Sequence, residues 1–187
     1  MPVPSRTEIL TALFAAWRML LRDARAIALF DATPAGFWKS FFCAAIVLPP
    51  YLLVVLLDQS SAAVPVSWGR LALVEAITYV IVWTVWPVVM AQIVPLLDRR
   101  GHYIRYVVAY NWASGPQTAI MLLAVLLAFN DLFPAPLGLA VLAVILVYQT
   151  FIARVALELT PLPAVALALS EFFLGRIVYA ARTLLLQ

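Results

Sequence analysis

The chain is poor in the residues that carry out covalent chemistry. Its 187 positions include one histidine, His102, and one cysteine, Cys43. It has no HExxH pair to hold a catalytic zinc, no GxSxG nucleophile elbow, no glycine loop to cradle phosphate and no CxxC. Acyl, phosphoryl and metal-assisted reactions all need a nucleophile, a base or a ligand set, so the reading is not an enzyme: no catalytic residue, no metal, no cofactor. Cys43 alone closes no intrachain disulfide and leaves the redox compartment unread. Charge is also scarce, at 11% of residues, where a soluble domain carries about a quarter.

Apolar residues are abundant, at 66% of the chain with a mean hydropathy of +1.03. One small core cannot hide that much apolar surface. Burial in a bilayer can, given runs of roughly 17 to 25 apolar residues that close their own backbone hydrogen bonds as helices. Such runs fall at 34–57, 68–97, 103–129, 136–157 and 161–182, predicting an all-α, polytopic transmembrane bundle of five spans over 34–185. Four spans with a re-entrant or interfacial last segment is the competing layout. No cleaved signal peptide is expected, because Arg18, Arg22, Asp23 and Arg25 follow the apolar stretch from Ile9 to Trp17 at once; the first span itself would direct insertion.

Before the spans, residues 5–28 read as one amphipathic helix. Ser5 followed by Glu8 is a capping box, and Pro4 blocks extension backwards. Thr7, Thr11, Arg18, Arg22 and Arg25 share one face, with Ile9, Leu13, Trp17, Leu20, Ala24 and Ile27 opposite. Two placements stay open: flat in the membrane interface, or packed on a partner or on the chain's own membrane domain.

Thr33 and Pro34 start the first span as N-cap and first helical residue, and Thr160 with Pro161 repeats that start for the fifth. Pro49 and Pro50 predict a kink or short break. The third span carries a polar cluster from Tyr110 to Gln117 that ends in Gly115-Pro116, predicting an interfacial helix up to Trp112, a bend and a short spanning piece; Tyr103, Tyr106, Tyr110 and Trp112 then form an interfacial aromatic belt. Asn130, Asp131 and Pro134 predict a tight turn. Trp83 and Trp86, one turn apart, read as packing.

Assigned to alternate sides, Arg6, Arg18, Arg22, Arg25, Lys39, Arg99, Arg100, Arg105 and Arg154 fall with the N-terminus, against Arg70, Arg176 and Arg182 opposite. The positive-inside rule then puts the N-terminal helix in the cytoplasm and the C-terminus outside, in a bacterial inner membrane; Arg182 is the discordant residue. Basicity of this kind, with a pI of 9.3, points to anionic lipid headgroups and away from nucleic acid. Arg18, Arg22, Arg25, Arg99 and Arg100 are the candidate headgroup contacts. His102, among arginines, reads either as a pH sensor or phosphate contact, or as a solvated loop residue.

An ionisable side chain at membrane depth is costly unless paired or wet. Glu171, ten residues past Pro161, lies about 15 Å along its helix, near mid-span. Glu75 on the second span and Arg176 on the fifth both fall in the outer third and are expected to pair. Asn111, Ser114 and Gln117 lie where one helical face could present them to a solute. Glu171 with Ser170 then reads either as part of a proton or solute path or as hydrogen-bonded helix glue.

The FDATPAGFWKSFF stretch (Phe30 to Phe42), RYVVAYNW (Arg105 to Trp112) and LPAVALALSEFFLG (Leu162 to Gly175), set in a layout of about five closely spaced helices, resemble the Yip1-domain superfamily and its small bacterial members. Eukaryotic members are associated with membrane traffic and small GTPases through an extended N-terminal region, whereas this N-terminal segment is short and basic. The resemblance implies architecture and a role in shaping or organising membranes; it assigns no functional residue. Two functions follow as expectations. One is a non-catalytic Yip1-like protein that organises lipids, other membrane proteins or its own oligomer. The other is a small transporter or channel subunit with a polar path near Glu171.

Overall fold

The computed structural model describes residues 3–61, 66–129 and 135–187. Seven α-helices follow in order: α1 (Arg6–Leu20), α2 (Pro34–Ser40), α3 (Phe42–Ser61), α4 (Trp68–Leu96), α5 (Tyr103–Phe129), α6 (Ala135–Ala156) and α7 (Pro161–Leu186), with short 3₁₀ turns at Ala24–Leu29 and Arg100–His102. No strand occurs among the described residues. Five segments are long and apolar enough to cross a bilayer: Pro34–Ser60, Trp68–Leu96, Arg100–Phe129, Leu137–Ala156 and Pro161–Leu186. The protein is thus an all-α, multi-pass membrane bundle, and its last segment is a full-length helix. The expected turn at Asn130, Asp131 and Pro134 lies outside the described residues.

The N-terminal helix forms from its capping box. Ser5 Oγ accepts from the Glu8 amide at 3.2 Å, and the Ser5 amide donates to Glu8 Oε2 at 2.7 Å. The helix stops at Leu20, short of 28, because Arg22 adopts φ 66° and the Asp23 amide turns back to the Arg18 carbonyl at 3.0 Å. That left-handed cap is sealed by Arg18 Nε donating to Asp23 Oδ2 at 2.8 Å, which holds the Asp23 carboxyl below its ordinary range.

Proline effects differ from expectation in two places. Helix α3 continues through Pro49 and Pro50, and the helical interruption of the first span falls earlier, at Phe41. Tyr79 Oη of α4 donates to the Ala44 carbonyl at 2.5 Å, next to the Ala45 and Ile46 carbonyls, which lose their helical donors because Pro49 and Pro50 have no amide hydrogen. Likewise α5 runs unbroken through Gly115 and Pro116. No separate interfacial helix ends at Trp112, and the proposed aromatic belt is instead interior: Tyr106, Tyr110 and Trp112 are all buried. The reason is placement. Helix α5 is central, packed against α1, α2, α3, α4 and α6, so its first half meets protein on every side.

Burial is uneven along the bundle. The half next to α1, called here the near half, is closed. Ala12, Ala15, Ala16 and Met19 of α1, Tyr106 to Ala113 of α5, Met90 and Val94 of α4, and Ile152 and Ala156 of α6 form one buried cluster. Since lipid is as apolar as leucine, helices associate there through close packing of small residues and through polar bonds. Tyr148 Oη donates to the Ala16 carbonyl at 2.6 Å, Trp86 Nε1 donates to Tyr106 Oη at 2.7 Å, and Arg105 Nε caps α6 at the Ala156 carbonyl at 2.7 Å. Trp83 and Trp86 are both buried. Beyond Pro116, by contrast, no side chain of α5 is buried. The far half opens.

Candidate functional site: a cavity in the far half of the bundle

Helix α3 leans on α5, whereas α4 leans on α7. Between these pairs lies a cavity of about 700 Å³, within the size range of small-molecule sites. Two hydrogen bonds and a ring contact span the gap: Tyr51 Oη donates to Glu75 Oε2 at 2.5 Å, Tyr79 reaches the Ala44 carbonyl, and the rings of Tyr51 and Tyr79 lie 4.9 Å apart.

The floor of the cavity is built by α5 and α7. Tyr110, Ser114, Gln117 and Met121 all line it, at spacings of three and four residues that keep them on one helical face. Opposite stands Glu171, which accepts from Tyr110 Oη at 3.0 Å. No cation reaches Glu171 among the described residues, and the buried amide nitrogen of Gln117 has no hydrogen-bond partner there. Apolar side chains, including Val54, Trp83, Leu122 and Val125, make up most of the wall.

Charged side chains line the far end. Arg182 Nε donates to Glu75 Oε1 at 2.7 Å, and its guanidinium also lies 3.6 Å from Asp58 Oδ2. Glu75 is only 5% exposed. The expected Glu75–Arg176 pair therefore does not form, and Arg176 is exposed. The partner is about one and two-thirds turns further along because α7 extends to Leu186, which brings Arg182 to the level of Glu75.

Of the other candidates, Gln117 lines the cavity but Asn111 does not. Asn111 is fully buried, and its Nδ2 donates to Ser40 Oγ at 2.8 Å while its Oδ1 has no partner. Ser170 bonds back to the Ala166 carbonyl at 2.8 Å and does not line the cavity. At the near face, Arg18 is tied to Asp23, Arg22 lies over the Phe151 ring at 5.7 Å, and Arg25 and Arg100 are exposed. Arg99 is half-buried, and its Nε lacks a partner. His102 Nε2 lies 3.4 Å from Glu158, whose carboxyl is held below its ordinary range chiefly by the hydrogen bond from Arg105. Sequence reasoning missed Tyr51, Tyr79, Asp58 and Arg182 as members of one constellation. Counting depth from both helix ends is the signal that would have brought Arg182 to Glu75. Tyr51 and Tyr79 carry no such mark.

Among the described residues, no three His, Cys, Asp or Glu side chains gather into a group that would hold a metal ion. The lining combines two carboxyls, Asp58 and Glu171, with the Arg182 guanidinium, several phenols, an amide and a mostly apolar wall. This arrangement defines a polytopic helical membrane protein with a partly open cavity between its helices. No family model, curated protein or solved structure matches the chain.

Proposed function

We propose that the chain is a small membrane carrier, or the solute-binding subunit of one, with its site in the far-half cavity. The observation that carries this reading is Glu171: a mid-span carboxyl facing a cavity of about 700 Å³ with a tyrosine hydroxyl as its hydrogen-bond partner. Carboxyls at that depth that serve only as glue are normally paired with a cation or shared between helices in a dry interface. The closed near half and the open far half suit a site reached from one membrane face at a time. Pro49, Pro50 and Pro116 lie near the boundary between those halves, where missing backbone bonds make bending easy. On this reading the near face, with most of the arginines, is cytoplasmic, and the membrane is a bacterial inner membrane.

One-sided access tests it. With Cys43 changed to Ala, Thr118→Cys places a thiol on the cavity wall. In sealed proteoliposomes of known orientation, a membrane-impermeant methanethiosulfonate reagent should modify it from the far face and not from the near face. Modification from neither face removes the carrier reading.

A second reading, a non-catalytic Yip1-like organiser of lipids or partner proteins, is favoured by a different observation. Leu10, Phe14, Trp17 and Leu21 form an exposed apolar stripe on α1, beside Arg22 and Arg25 and on the same face of the bundle as Arg99 and Arg100. Such a surface suits anionic headgroups, other membrane proteins or a second copy of the chain. A fluorophore at Trp17→Cys, again in the Cys43→Ala background, should be quenched by brominated lipid in nanodiscs if the stripe faces the bilayer.

A further inference from the structure

The charges around the cavity are unbalanced in one direction. Glu75, Asp58 and Glu171 stand against a single guanidinium, Arg182. Arg182 is held at the far end by Glu75 and Asp58, and eleven residues of α7 separate it from Glu171, about 16 Å along the helix. Its charge is therefore taken up by the two carboxyls beside it. The floor is left with a carboxyl that lacks a cation. The walls exclude a small inorganic ion as the missing partner, because a hydrated ion needs polar walls or several ligand oxygens, and here they are mostly valine, leucine and aromatic rings. Hydrocarbon alone is a poor occupant too, since it would leave the Gln117 amide nitrogen without a partner and Glu171 with the Tyr110 hydroxyl but no cation.

We propose that the cavity binds a lipophilic organic amine in its protonated form, with its ammonium on the Glu171 carboxylate and its apolar body along Trp83, Val54 and Val125. An N–H on the ammonium gives a charge-assisted hydrogen bond that a neutral ligand cannot supply. A volume of about 700 Å³ accommodates a ligand of one or two fused rings with a short aminoalkyl arm. This inference rests on the carrier reading and names its substrate class.

Three ligands of matched shape test it: 1-naphthylmethylamine, 1-naphthylmethanol and 1-naphthylacetate, titrated calorimetrically into the purified full chain in detergent. The amine should bind saturably, and the alcohol and the acetate at least about tenfold more weakly, the difference a desolvated charge-assisted bond supplies. Glu171→Gln should remove that preference, and Glu171→Asp, which keeps the charge, should retain it. Equal binding of amine and alcohol overturns the proposal, as does an unchanged preference in Glu171→Gln, or no binding of any of the three. If Glu171→Gln does not fold, the comparison of the three ligands on the unaltered chain still decides. Failure of the class and failure of the carrier reading are distinguishable. Equal binding of the alcohol, with the thiol of Thr118→Cys modified from the far face, leaves a solute site of another specificity. An inaccessible thiol together with no binding removes both.

Discussion

Glu75 of α4 and Arg182 of α7 form the ion pair that fastens the far ends of two helices, with Arg182 Nε 2.7 Å from Glu75 Oε1 and the Tyr51 hydroxyl of α3 completing the carboxylate's shell. One carboxylate thus joins three helices beside a cavity that would otherwise let them splay. Removing one member of a buried, hydrogen-bonded pair strands the other charge, at a cost of about 3 to 5 kcal/mol. Arg182→Gln should therefore lower the melting temperature in detergent markedly. Arg176→Gln, which touches an exposed side chain, should leave it unchanged. Equal effects would contradict the assignment of the pair.

Docking of α1 should depend on pH through Glu8. The Lys39 ammonium, with help from the Ser5 amide and hydroxyl, pulls the Glu8 carboxyl from 4.5 to about 2. A carboxyl whose folded value is depressed contributes stability above its unfolded value, and that stability is lost as pH falls through the folded value. The window is therefore from pH 4.5 down to about 2. Hydrogen exchange at the amides of α1 should be slow at pH 6 after correction for intrinsic rates, and protection should fall across that window. In Glu8→Gln protection should already be reduced at pH 6, and the remaining dependence should be that of the Asp23–Arg18 cap.

Asn111 should prove structural. Its amide is buried beside Ser40, away from the cavity, and its Oδ1 lacks a partner. Asn111→Leu removes an unpartnered oxygen together with the bond to Ser40, whose hydroxyl keeps its bond to the Phe37 carbonyl at 2.7 Å, so the net cost should stay within about 1 kcal/mol. Asn111→Leu should accordingly melt near the parent and bind naphthylmethylamine with unchanged affinity. Asn111→Asp, which buries a carboxyl in the closed half, should be strongly destabilised.

Asp98 ends α4 at φ 56° in an exposed position. The left-handed conformation costs a residue with a side chain roughly 1 kcal/mol. Glycine escapes that cost, offset in part by its freer unfolded chain. Asp98→Gly should raise the melting temperature slightly. A fall would mean that the Asp98 carboxylate makes a contact worth more than the backbone strain.

Much of the architecture was legible in order along the chain. The capping box at Ser5 and Glu8, the Thr33-Pro34 and Thr160-Pro161 starts, and the apolar runs are local features, and each produces its element through neighbours a few residues away. Apart from the end of α1, which the local Arg18–Asp23 cap sets at Leu20, the errors concern what lies beside an element. Prolines 49, 50 and 116 predicted breaks because the lost backbone bond is visible in sequence, whereas the packing that holds each helix continuous is not. The tyrosines of α5 looked interfacial because Tyr and Trp favour that layer; the central position of α5, which buries them, is a property of five other helices.

The sequence by itself determined that this is a multi-pass helical membrane protein, that its N-terminal helix starts at Ser5, and that Glu171 is a costly carboxyl at mid-span, because hydropathy and helix capping depend on composition and short-range spacing. Only the tertiary structure decided that Arg182 rather than Arg176 meets Glu75, and that Glu171 faces a cavity rather than a partner. Both outcomes depend on how far α7 extends and on which helices lean together, contacts between residues about a hundred positions apart that no local pattern records.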